Sequence, residues 1–287
     1  MANKDNNKFH NIDILSSAHV HTTFCDGKST AQEMARTAYE MGFVSLGFTS
    51  HAPQMFDPAH CIDPSRECDY INEIRRIKQE YKGRMAVYLG IERDMYSCSE
   101  STEYDYFIAS MHYFKIPDGS YSGVDASAEI MQKYINEYCD GNGLEMAKRY
   151  FTQFRDYVIE SKPQIIGHFD LVRYNNAALH LYDEDSSDYK MMALDALRDL
   201  VDTNALLEVN TGGVARGYMT EPYPASFLLK EWKNWGGEVI INSDCHDAKL
   251  LDAGYVQAEE ILLSLGYDHV VRLSRDPEKE MWERVEL

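Results

Sequence analysis

Ile12-Asp13-Ile14-Leu15-Ser16-Ser17-Ala18-His19-Val20-His21 is a largely apolar run that finishes on two histidines one residue apart. A β-strand alternates its faces, so His19 and His21 point the same way from a strand end. Alone, such a pair is equally consistent with two ordinary strand histidines. Near the other end of the chain, Glu238-Val239-Ile240-Ile241-Asn242-Ser243-Asp244-Cys245-His246 repeats the device with Asp244 and His246. Two such pairs, each at the finish of a buried strand, predict a metal centre assembled from distant parts of the chain.

Between them the chain alternates strand and helix patterns. Apolar strand runs lie at 12–19, 43–49, 85–91, 104–110, 164–168, 205–210 and 238–243, with a further short run at 269–273. Helical patterns fill 30–41, 64–81, 126–139, 143–161, 186–203, 224–235 and 255–265. The first helix opens with Ser29 and Thr30, and Glu33 sits in capping-box position. This alternation predicts βα units around a mainly parallel sheet, with strands apolar throughout because both faces are covered. Polar residues finish one strand run after another: His19 and His21, His51, Glu92, His112, His168, Asn210, then Asp244 and His246. A closed barrel gathers these ends on one rim, where active sites sit, whereas an open sheet would spread them apart. The expected fold is therefore α/β, a barrel of βα units in one domain spanning 1–287.

The 287 residues are 44% hydrophobic and 26% charged, an ordinary globular composition. A net charge of −19 argues against nucleic-acid and anionic-membrane partners, so positive charge for any phosphate must be supplied locally. The segment Met1-Ala2-Asn3-Lys4-Asp5-Asn6-Asn7 lacks the apolar core of a signal peptide, and no run approaches membrane-spanning length, which makes the cytoplasm the expected location. Cys25, Cys61, Cys68, Cys98, Cys139 and Cys245 form no CxxC pair and read as free thiols.

Each polar strand end has a bland reading as a capped or hydrogen-bonded residue, and Asp26 before Gly27 reads as a turn. Capping does not account for strand exits that choose His, Glu or Asp, since Ser, Thr, Asn and Gly would serve. The ordered set His19-Val20-His21, Asp26, Thr49-Ser50-His51, Gly90-Ile91-Glu92, Ser110-Met111-His112, Gly167-His168-Phe169-Asp170 and Ser243-Asp244-Cys245-His246 resembles the polymerase and histidinol phosphatase (PHP) superfamily. Thr22-Thr23-Phe24-Cys25-Asp26-Gly27, Asp118-Gly119-Ser120, Gly123-Val124-Asp125, Asn210-Thr211-Gly212-Gly213 and Glu221-Pro222-Tyr223-Pro224 resemble its histidinol-phosphatase branch.

The resemblance implies a distorted TIM-like (β/α)7 barrel with three divalent metals at the C-terminal rim of the strands. By that pattern His19, His21, Glu92 and Asp244 hold the first metal. Glu92 bridges to a second, completed by His112 and His168, and Asp26, His51 and His246 hold the third. The mixed His/carboxylate set suits Zn, Mn or Fe without choosing among them. The implied activity is that of a phosphoric monoester hydrolase: L-histidinol phosphate to L-histidinol and phosphate, in histidine biosynthesis, by attack of a metal-bridging hydroxide. Glu92, Asp244 and His246 are the candidate catalytic residues. Arg216 and, behind it, Arg173 are candidates for the phosphate oxygens. Asp118 and Asp125 are candidates for the substrate's positive charge. The competing readings are a PHP-type phosphoesterase for another small monoester, a nucleotide or phosphotyrosine, and a catalytically silent metal-stabilised module. Cys245 is expected to face away from its neighbours Asp244 and His246 and to pack, and Cys25 is not expected to ligate. His10, His60, His180 and His269 match no ligand position, and the oligomeric state is left open.

Overall fold

The computed structural model describes residues 12–99 and 101–287, so His10 and the Met1–Asn7 segment lie outside the described residues. The sheet strands are β1 (Ser16–Ser17), β2 (Ser45–Phe48), β3 (Ala86–Asp94), β4 (Tyr106–Ser110), β7 (Ile165–Ile166), β8 (Leu206–Asn210), β9 (Val239–Asn242), β10 (His269–Leu273) and β11 (Trp282–Glu286). A separate hairpin, β5 (Tyr113–Lys115) and β6 (Tyr121–Gly123), follows β4. The order β1-β2-β3-β4-β7-β8-β9 is parallel throughout, as the alternation predicts. Strand β10 joins β9 through the single pair Val271–Ile240, and β11 pairs antiparallel with β10.

The ends of the parallel ladder meet at one bridge, Val20–Cys245, where His21 N–H donates to Cys245 O at 2.9 Å. The result is a distorted barrel not closed by a continuous ladder. The expected strand over 12–19 is a turn at Ile12–Ile14 followed by the two residues of β1. Side chains take over the hydrogen bonds a ladder would make: Ala18 N–H donates to Asn242 Oδ1 at 2.7 Å and Val20 N–H to Thr49 Oγ1 at 3.2 Å.

Helices α1 (Ala31–Met41), α2 (Glu67–Glu80), α3 (Ala128–Tyr138), α4 (Gly143–Ser161), α6 (Ser187–Arg198), α8 (Ser226–Asn234) and α9 (Tyr255–Ser264) fall on the predicted helical patterns, with α5 (Asn176–Leu179) and α7 (Gly212–Ala215) as short additions. Thr30 and Glu33 close the capping box at the start of α1. Helices α2 and α4 bury Tyr70, Ile71, Ile74 and Ile77, and Met146, Ala147, Tyr150, Phe151, Phe154 and Val158, at the three- and four-residue spacing of one helical face.

Strand alternation then places the site. One apolar cluster holds Tyr88, Tyr106, Ile108, Ile165, Leu206, Ile240, Val271 and Leu273, while Val87, Leu89, Ile91, Leu207, Val209 and Ile241 belong to a second, larger core. Going up β8 on the first face gives Leu206, Glu208 and Asn210; up β9, Ile240 and Asn242; up β3, Tyr88, Gly90 and Glu92. The same face turns from apolar to polar toward the C-terminal ends of the strands. Gly90 is required by this layering, because a Cβ there would lie 2.6 Å from Tyr106 Cζ and 2.7 Å from the Thr49 methyl.

Candidate metal centre

All nine predicted ligands converge on that polar end. Histidines 19 and 21 approach each other with Nε2 atoms 3.1 Å apart, and each faces Glu92 Oε2, at 3.3 and 3.4 Å. Asp244 Oδ1 lies 3.1 Å from His21 Nε2 and 3.7 Å from His19 Nε2, which completes a four-residue group. Its backbone φ of 46° is a left-handed conformation that Asp tolerates, and it occurs where β9 gives way to the loop. The other oxygen of Glu92 points across the centre: Oε1 is 3.1 Å from His168 Nε2 and 3.7 Å from His112 Nε2. Asp26 faces His246 Nε2 at 3.3 Å and His51 Nε2 at 3.8 Å.

Three sets have ligand atoms within 4.8 Å of one another: His21 with Asp26, His51 and His246; His19 with His21 and Asp244; and His51 with Glu92 and His112. His21 and His51 therefore each belong to two sets, where the sequence pattern gave each to one. His51 does so by turning Nδ1 to Glu92 Oε2 at 2.9 Å and Nε2 to Asp26.

The electrostatics follow from packing imidazoles around buried carboxylates. Burial pushes the Glu92 and Asp244 carboxyls up, but His51 and His19 beside Glu92, and Arg216 and His19 beside Asp244, hold both well below the usual range. Asp26 is likewise held low, with His246 and His51 outweighing burial. Burial and the neighbouring His246 and His51 push His21 down to about 3, so its ring is neutral and keeps a lone pair. Glu92 Oε2 makes no hydrogen bond although His51 is close, and neither does Asp26 Oδ1 or His168 Nδ1, all three being buried. Buried carboxylate oxygens without hydrogen-bond partners, beside the neutral ring of His21, are donors that fit a divalent cation site.

Several supporting residues were not singled out from the sequence. Glu208 is fully buried; its Oε1 lies 2.6 Å from His19 Nδ1 and accepts from Asn242 Nδ2 at 2.9 Å. Its Oε2 accepts from His168 N–H at 2.7 Å and Asn210 Nδ2 at 2.9 Å. Asp94 Oδ2 accepts from His112 N–H at 2.6 Å and lies 3.4 Å from its Nδ1. A glutamate inside the apolar run 205–210, and an aspartate one strand period beyond Glu92, were the available signals.

Arg216 lies on the rim, where its guanidinium donates to Asp244 Oδ2 at 3.0 Å and Asp244 O at 2.9 Å and sits 3.0 Å from His246 Nδ1. Gly212 leaves the room, since a Cβ there would come 2.9 Å from both Arg216 Nη2 and Asp244 Oδ2. Arg173 turns inward instead. It is buried, and its three nitrogens bond Glu184, Asp170 and Glu221 at 2.6, 3.3 and 2.9 Å. Asp125 lines a cavity beside His51 and His112. Asp118 is an exposed turn residue of the β5–β6 hairpin whose Oδ1 accepts from Ser120 N–H and Oγ–H at 2.8 and 2.6 Å. Cys25 Sγ is 3.5 Å from His21 Nδ1, but burial and Asp26 push its thiol up to about 11, away from the thiolate a metal prefers. Burial likewise raises Cys245 to about 12.

Known proteins resemble this chain in sequence and fold. The family model of the PHP domain matches residues 17–212. A probable histidinol-phosphatase of Deinococcus radiodurans is 30% identical over 243 residues, covering 81% of this chain and 86% of that protein. The histidinol-phosphatase of Bacillus subtilis is 27% identical over 265 residues, covering 83% and 94%. The crystal structure of histidinol phosphate phosphatase from Lactococcus lactis, complexed with Zn, L-histidinol and phosphate, superposes with a TM-score of 0.69 at 20% identity, covering 91% of this chain and 97% of that one. With the barrel and the rim in place, the chain belongs to the PHP domain family.

Proposed function

We propose that this chain is a metal-dependent phosphomonoesterase that hydrolyses L-histidinol phosphate to L-histidinol and phosphate. The observation that carries the reading is Glu92, which turns one oxygen to His19 and His21 and the other to His112 and His168 at the meeting point of the ligand clusters. Histidinol-phosphatase relatives aligned over more than four fifths of the chain supply the substrate.

In this reading three divalent ions, of Zn, Mn or Fe, are held by His19, His21, Glu92 and Asp244; by Glu92, His112 and His168; and by Asp26, His51 and His246. Bound there, they supply charge neutralisation for the phosphate oxygens and lower the pKa of water. Arg216 offers guanidinium N–H groups to the phosphate oxygens from the rim and is kept oriented by Asp244. In the same reading the ionised Asp244 carboxylate, with His246 Nδ1 3.7 Å away, would relay a proton from the attacking water toward the departing alcohol oxygen. Glu208 and Asp94 hold His19 and His112 in orientation. A cytoplasmic location belongs to the same reading: the six cysteines are free, and no helix among the described residues is long and apolar enough to cross a membrane.

The test is phosphate release by metal-loaded protein from a panel of monoesters that includes L-histidinol phosphate. Preferred release from L-histidinol phosphate, lost on chelation, is expected. Ready hydrolysis of other monoesters with none of L-histidinol phosphate would reject the reading.

A further inference from the structure

Beside the metal ligands opens a cavity of about 440 Å³ that shares Asp26, His51 and His112 with them. Its far wall is built by the loop after His51 and by the β5–β6 hairpin: Gln54, Phe56, Asp57, Tyr113, Tyr121 and Asp125. Gln54 is 3% exposed, and its Oε1 makes no hydrogen bond, leaving a buried carbonyl acceptor at the cavity. Such an acceptor is destabilising unless a donor meets it. Next to it stands the Asp57 carboxylate, which the Tyr113 hydroxyl and His60 Nδ1, at 2.8 Å, hold in place. Two carboxylate oxygens offer about four lone-pair directions, so these contacts do not saturate Asp57. Phe56 and Tyr121 stack with centroids 3.7 Å apart, and Tyr113 meets Phe56 edge-on at 5.0 Å. Lysine and arginine are absent from the described lining, so this end offers carboxylate, carbonyl and aromatic faces.

That chemistry repels a second anion and suits a flat, nitrogen-bearing cation whose N–H groups seek acceptors and whose charge suits an aromatic face. We propose that this pocket binds the protonated amine or imidazole end of a small phosphate ester, with Gln54 and Asp57 as the acceptors and Phe56 and Tyr121 as the wall. The inference rests on the functional reading above for the phosphate end, and it names the residues that would make the enzyme choose a cationic substrate.

The experiment compares wild type, Gln54→Leu and Asp57→Asn on L-histidinol phosphate and on p-nitrophenyl phosphate, whose leaving group carries no cation. Inhibition of the second reaction by free L-histidinol is measured alongside. In each variant kcat/KM for L-histidinol phosphate should fall about tenfold further than for p-nitrophenyl phosphate, mainly through KM, the scale of one hydrogen bond to a charged group. Inhibition by L-histidinol should weaken to match. Equal losses on both substrates, or undiminished inhibition of the variants, would overturn the subsite while leaving the activity in place. A wild type that releases no phosphate from L-histidinol phosphate rejects the functional reading instead. The subsite then stands if L-histidinol still inhibits wild type but not the variants, and falls otherwise.

Discussion

Glu208 ties four strand ends together through one carboxylate: His19 after β1, the His168 amide after β7, Asn210 on β8 and Asn242 on β9. Burial pushes its carboxyl up, and His19 and His168 more than reverse this, so it stays ionised beside the imidazole it orients. Replacing it by Gln keeps the volume and removes the charge facing His19 Nδ1. Glu208→Gln should weaken metal binding about 10–100-fold. Metal titration followed by elemental analysis checks this, and wild-type affinity would free Glu208 of the role. Arg216 is a separate case, since it touches Asp244 directly and is only partly exposed. Arg216→Ala should lower kcat/KM for L-histidinol phosphate about a hundredfold, the scale of losing one preorganised donor. Unchanged KM and kcat would take it out of the site. Eight of the nine converging residues were legible in the sequence because a polar residue that ends an apolar run stands out, whereas Asp26 read as a turn residue and entered through the family resemblance. Glu208 was not, because it lies within its strand, and a buried carboxylate shows its partners only once the barrel brings β1, β7 and β9 beside β8. For Arg173, proximity to His168 in sequence does not say which way the side chain turns, and in the structure it pairs with Asp170, Glu184 and Glu221.

At the scale of elements, alternation and capping set most of the architecture. The Thr30–Glu33 box forms as its spacing predicts, with Glu33 Oε2 accepting from Thr30 N–H at 2.8 Å. Hydrogen bonds from the Thr30 backbone and hydroxyl hold the Glu33 carboxyl below its usual value. A carboxyl lowered in the folded state adds stability above its unfolded pKa and loses it as pH falls through the folded value. The melting-temperature gap between wild type and Glu33→Gln should therefore be present at neutral pH and close on acidification below about pH 4; a constant gap would show that the charge is not involved. Gly90 gives a packing counterpart. Gly90→Ala drives a methyl into Tyr106, whose hydroxyl donates to Ala18 O at 2.6 Å, and should cost about 1–3 kcal/mol in chemical denaturation. What alternation missed were β5, β6 and β11. These strands are short or antiparallel and carry exposed or half-buried residues, so they lack the continuous apolar runs that mark the barrel strands. The hairpin also explains Asp118: Asp-Gly at its tip serves the turn, and Gly119 has the positive φ of 91° that the turn requires.

For the molecule as a whole, the site is where the barrel is least regular. Its candidate ligands lie on β3 and at the exits of β1, β2, β4, β7 and β9, and among the described residues the seam between β1 and β9 is crossed by one backbone bridge beside His21 and Asp244 and by side-chain bonds such as Ala18 N–H to Asn242 Oδ1. Cations bound there would join the two sides of that seam and relieve the repulsion among Glu92, Asp244 and Asp26, three buried or half-buried carboxylates in a chain of net charge −19. Ions that bind only the folded state stabilise it by RT ln(1 + [L]/Kd), about 4 kcal/mol at a thousandfold excess over Kd. For a chain of this size such a loss lowers Tm by on the order of 10 °C. Chelation should therefore lower Tm by that order, and adding back Zn or Mn should restore it without added substrate. The destabilisation should be smaller in His19→Ala, which has already lost part of the binding energy. If chelator strips the metal and Tm does not move, the ions serve chemistry alone, and the carboxylate cluster is carried by the histidines and Arg216 already packed against it.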